Sequence, residues 1–194
     1  MTVRNRSSGA VLAAFISLAL VACFRGQSPA ALPPPSPPPT LPAGALPQLD
    51  SRARTLDGRA FAQDASRPDA VAGLLDRQGY VTGSEREFFG RAPTFNHVVA
   101  RVLEFRAPAG ASAFLEWLGQ NASAFIGDAE SLSLLSFGSR PLLFPVSGCD
   151  CHPQVPSYLA VWQRGIRVHW LFAAGPEATR GTVRALAATF DRVG

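Results

Sequence analysis

The densest group of chemically capable side chains is Gly148-Cys149-Asp150-Cys151-His152-Pro153. Two thiols one residue apart, with an imidazole beside them, support three chemistries. A Cys149–Cys151 disulfide would pin a loop, although so small a ring gains little closure entropy, is strained and is easily reduced. Two thiolates with the His152 imidazole would instead favour Cu(I) or Zn, and a closed zinc site would need a fourth ligand from Asp150, His97 or His169. Thiol–disulfide exchange is the third chemistry. The spacing excludes c-type haem attachment, which needs two residues between the cysteines. The disulfide is the expected state, the metal set Cys149, Cys151 and His152 is its alternative, and no cofactor is expected.

Other reactive types are scattered. His97 opens a Val-rich segment and His169 alternates with Trp170, positions that suit hydrogen-bonded or surface histidines. A dispersed Ser-His-Asp triad is compatible with any sequence, but no G-x-S-x-G elbow, H-E-x-x-H helix or G-x-G-x-x-G turn occurs. The acid pairs Glu85 with Glu87 and Asp128 with Glu130 read as solvated loop ends. All 18 basic residues are arginine, which removes a Schiff-base or P-loop lysine. The formal charge is +4, and Arg4 and Arg6 supply two of those units. No run of cations marks a nucleic-acid face. A non-enzymatic role is expected, with a hydrolase as a distant alternative.

The elements that must position these groups divide the chain in three. Arg4 and Arg6 precede an apolar stretch from Ala10 to Ala22. As a helix it would span about 20 Å, short of the roughly 30 Å hydrocarbon core, so it reads as a secretory leader. The leader ends in Leu20-Val21-Ala22-Cys23, which resembles the lipobox of bacterial lipoproteins. That resemblance implies cleavage after residue 22, a diacylglyceryl thioether on Cys23, and attachment to the outer face of the cell membrane. Residues 23–49 form the second part. Nine of the 17 prolines fall between Pro29 and Pro47, so the segment is expected to be a disordered stalk whose residues 27–49 reach about 70 Å at full extension as polyproline II.

Residues 50–194 remain for one folded domain. Ser66-Arg67-Pro68-Asp69 suggests a helix start, Val71, Leu74 and Leu75 give its apolar stripe, and Gly79 closes it. A weak strand over 80–89, turning at Gly83-Ser84, precedes a stronger one over 97–106. Pro108 and Gly110 open a second helix with Phe114, Trp117 and Leu118 on one face. A strand is expected over 132–137, then an irregular loop over 141–156. Segments 158–162 and 166–172 make a hairpin in which Ile166, Val168, Trp170 and Phe172 share a side. A last helix opens at Gly175-Pro176-Glu177 and carries Val183, Leu186, Ala187 and Phe190. The order α-β-β-α-β-β-β-α predicts an antiparallel sheet packed with helices, an α+β sandwich.

With its lipobox, proline-rich stalk and Arg-rich domain, the chain resembles small actinobacterial surface lipoproteins. Their pattern is matched by Leu75-Asp76-Arg77-Gln78-Gly79-Tyr80, by Val102-Leu103-Glu104-Phe105 with Gly110-Ala111, and by Trp162-Gln163-Arg164-Gly165. Some of those domains are similar to extracytoplasmic sensor domains of receptor kinases or to the PsbP/Mog1-type sandwich. The resemblance implies a ligand-binding or sensor-like domain and supplies no site residues. The expected partners are the membrane, through the lipid, and a lipid, cell-wall component or protein. Aromatic residues would line any cleft between sheet and helix.

Overall fold

The computed structural model describes residues 36–126, 138–146 and 155–193. Six antiparallel strands form one sheet in the order β1-β2-β3-β6-β5-β4, so the expected α+β class holds. The strands are β1 (Asp50–Leu56), β2 (Tyr80–Phe89), β3 (His97–Phe105), β4 (Ser139–Pro145), β5 (Ser157–Arg164) and β6 (Arg167–Ala174). Around them lie α1 (Gly58–Ala62), α2 (Pro68–Arg77), α3 (Pro108–Gln120), α4 (Ser123–Ile126) and α5 (Arg180–Val193).

Strand alternation sends side chains to two separate cores. On one face Leu56, Leu103, Phe105, Val161, Val168 and Trp170 pack beneath helices α1 to α4. On the other, Phe88, Val98, Ala100, Val102, Trp162 and Leu171 meet α5, whose Val183, Leu186, Ala187 and Phe190 are all buried as their spacing predicts. The central strands are therefore apolar on both sides, unlike a sheet with one wet face.

Three expectations about elements need correction. Glycine 83 is not a turn: β2 runs unbroken through it, pairing Gly83 with Leu103 and with Leu56. Its missing Cβ leaves room for the Tyr80 hydroxyl and the Val102 carbonyl, either of which a Cβ would meet within 2.8 Å. The 141–156 loop begins as β4, an edge strand where Pro141 and Pro145 are tolerated because one side needs no ladder partner. Helix α5 starts at Arg180 rather than Gly175; Thr179 and Thr182 exchange backbone–side-chain bonds at its first turn. The strand expected over 132–137 lies outside the described residues.

The boundary at Asp50 also moves. Pro38 and Leu41 are buried, Ala43–Ala45 make a 3-10 turn, and Leu49 is buried beside Gly90. Leu41 and Leu49 belong to the same core as Phe88 and Val98, and the Ser84 hydroxyl donates to the Pro38 carbonyl. The second half of the expected stalk is thus a strap over the β2–β3 side of the face that α5 covers at β5 and β6. The compact unit begins at Pro35.

Candidate functional site

Among the residues singled out by sequence, Cys23, Asp128, Glu130, Cys149, Asp150, Cys151 and His152 lie outside the described residues. The histidines part company. His169 is fully buried on β6, stacked 5.1 Å from Trp162 with Phe190 edge-on at 5.1 Å. Among the described residues neither ring nitrogen has a hydrogen-bond partner. Burial lowers its pKa from 6.5 to about 4, Asp191 opposing and Arg167 and Arg164 reinforcing that shift. A ring sealed beneath α5 is no ligand for the 149–152 cluster, so His169 leaves the list of fourth metal ligands. His97 lies at the other end of the sheet, its Nε2 3.0 Å from Glu87.

Glu85 and Glu87 are not loop ends but mid-strand residues in a lattice across β1, β2 and β3. Glu85 accepts from Arg54 Nε and Arg101 Nε, each at 2.6 Å, while Arg52 Nε donates to Glu87 at 2.6 Å. Arg101 also pairs with Asp64 and lies 5.6 Å from the Phe61 ring centre. Burial alone would raise the Glu85 pKa, yet the two guanidiniums outweigh it and hold the carboxyl below its usual range. A second set joins Trp162 Nε1 and Arg164 to Asp191, at 2.8 and 2.9 Å. These lattices knit strands and α5; their charges are spent on each other.

An open concavity sits elsewhere, between α2 and the α3–α4 corner. Its volume is about 220 Å³, with Val71 and Leu74 on the floor, Trp117 as a wall and Arg67 and Arg77 among its lining residues. These positions follow from helical spacing: residues 67, 71, 74 and 77 fall along one stripe of α2. Pro68 fixes the start of that helix, Arg67 is its N-cap without a side-chain cap bond, and Gly79, at φ 74°, lets the chain leave. Capping by Ser66 is thereby corrected to Arg67. Trp117 is half-buried, stacked 6.3 Å from Phe114 and edge-on 6.5 Å from Phe125. The other two tryptophans fill cores: Trp162 and Trp170 are 0% and 4% exposed. Sequence reading placed Trp117 on an apolar helix face and overlooked Arg67 and Arg77. A helical projection of α2 carries the signal, an apolar stripe with a cation at each end.

Among the described residues no group of three or more His, Cys, Asp and Glu side chains is placed to hold a metal, and no helix is long and apolar enough to cross a membrane. No protein-family model matches the chain, and no curated protein matches it. Among solved structures, the chain is similar to the extracellular domain of PknH from Mycobacterium tuberculosis. Identity is 13%, the TM-score 0.47, and the match covers 75% of this chain and 86% of that one.

Proposed function

We propose that this is a protein lipid-anchored to the outer face of the cell membrane, whose α+β domain binds a ligand, in a sensor-like manner, without catalysing a reaction. The observation that carries the reading is the leader, with Arg4 and Arg6, the apolar run to Ala22, and Leu20-Val21-Ala22-Cys23. The interior supports it: Glu85, Arg101, Asp64 and Asp191 are engaged in ion pairs, which suits a scaffold better than a proton-transfer site. Cys23→Ser tests the anchor. The variant should lose acylation and accumulate as precursor or soluble chain; leader removal with unchanged detergent partitioning would refute it.

A second reading, a metal or thiol-redox role for Cys149, Cys151 and His152, draws on the frame around that segment. Val146 N–H donates to the Ser157 carbonyl at 2.9 Å, and Ser157 pairs with Ala174, itself opposite His97. The chain leaves the sheet after β4, three strands from that imidazole, and re-enters at β5, two strands or about 10 Å from it. Metal content and thiol titre of the protein purified without reductant separate the two readings. With a disulfide, His152→Ala is neutral and Cys149→Ser with Cys151→Ser costs at most about 1–2 kcal/mol. With a bound metal, both variants and chelator lower the melting temperature by several degrees.

A further inference from the structure

We infer that the α2 groove is a binding site for a small anionic amphiphile, a carboxylate on a short apolar body. The inference rests on the ligand-binding reading above and gives it a place and a chemical class. Arg67 and Arg77 both line the groove and both are exposed, and among the described residues neither side chain has an ion-pair, hydrogen-bond or ring partner. Arg52, Arg54, Arg101 and Arg164 are engaged by carboxylates in the two lattices, whereas Arg67 and Arg77 flank an apolar groove. Asp69 occupies the first turn of α2 but does not line the concavity. Between the guanidiniums the surface is apolar: Val71, Leu74 and Ala124 are buried residues, and Trp117 adds an indole face. A carboxylate suits the planar donor fork of arginine, and the hydrocarbon suits the floor. At about 220 Å³ the space is below the roughly 300 Å³ of pockets for drug-sized ligands, which selects a short chain.

The three tryptophans make the groove readable, because Trp162 and Trp170 are sealed in cores and Trp117 is not. Hexanoate added to the full chain in a neutral detergent should change Trp117 emission saturably. Hexanol and hexylammonium, equal in apolar body, should bind at least tenfold more weakly. Arg67→Gln combined with Arg77→Gln, at two exposed sites, should weaken hexanoate at least tenfold, one single substitution should account for most of that loss, and lysine at that position should retain part of the affinity. Trp117→Phe should abolish the optical change yet leave binding detectable by calorimetry. Equal response to hexanoate and hexanol would overturn the inference and leave an apolar groove. No response to any of the three would overturn it together with the ligand-binding role of this groove, leaving the Cys23 test untouched. A response to vesicles of anionic phospholipid but not to hexanoate would assign the arginines to a membrane surface and overturn it as well.

Discussion

At the scale of single residues, His97 has Glu87 3.0 Å from its Nε2, whereas the burial of His169 has a measurable consequence. His169 is sealed between Trp162 and Phe190 with both nitrogens unpartnered among the described residues. Its pKa falls from 6.5 to about 4, chiefly by burial. The depressed value means that the folded state resists a proton which the unfolded chain accepts below pH 6.5. Stability is therefore intact near pH 7 and declines as the pH drops from 6.5 toward 4, by about 2 kcal/mol at pH 5. Urea midpoints at pH 7 and 5 should differ accordingly in the wild type, and His169→Leu should remove most of that difference; an unchanged pH dependence would show that another group is responsible. Glu85 makes a contrasting forecast. Its carboxylate, 5% exposed, is shared by Arg54 and Arg101. Glu85→Gln would leave the buried Arg101 with only the half-exposed Asp64, at a cost of about 3 kcal/mol in denaturant unfolding. A loss below about 1 kcal/mol would mean that the lattice is screened by water.

At the scale of elements, legibility followed the apolar signal. The hairpin β5–β6, strand β3 and helices α2, α3 and α5 each bury a periodic row, and each is found within a few residues of its expected place. Strand β1 escaped because Asp50–Leu56 is exposed along almost all its length and alternates arginine with small residues. Nothing in it buries until Leu56, so no period-2 row exists to be read. Helices α1 and α4 are too short for a stripe. Ile166 was grouped with the strand that follows it, yet it lies in the turn before β6 and is 37% exposed. The candidate groove was missed for another reason: its arginines belong to one helix, but what makes them a site is the arrival of Trp117 from α3, a tertiary fact. One element junction was legible only in part. Gly110 was read as a helix starter, and its reason is close approach: a Cβ there would collide with the carbonyl oxygen of Gln78, where α2 ends against α3. Gly110→Ala should therefore cost about 2–3 kcal/mol, although alanine is the better helix former. A neutral or stabilising result in thermal melts would show that the α2–α3 contact yields freely.

At the scale of the whole molecule, the strap changes how anchor and domain relate. The composition of residues 23–49 points to one uniform stalk, because nine prolines outweigh the few apolar residues among them. Leu41, Leu46 and Leu49 are nevertheless the residues that matter, for each packs into or against the core that holds Phe88 and Val98. If Cys23 carries lipid, only residues 24–35 lie between the anchor and the described chain, and their contour length cannot exceed about 43 Å. A stalk extending to Leu49 would reach more than twice as far, about 94 Å. The folded domain accordingly includes residues 38–49, which composition alone assigns to the stalk. Leu41→Asp tests the premise. Leu41 is fully buried, so a carboxylate there loses apolar burial and faces desolvation, together worth about 3–4 kcal/mol. Hydrogen exchange of the Leu49 amide, which donates to Leu46 at 3.0 Å, should accelerate in the variant, and β2 and β3 amides should follow while those of α3 keep their protection. If instead Leu41→Asp leaves the urea midpoint and the exchange pattern of the wild type intact, residues 38–49 are stalk after all and the folded unit begins at Asp50.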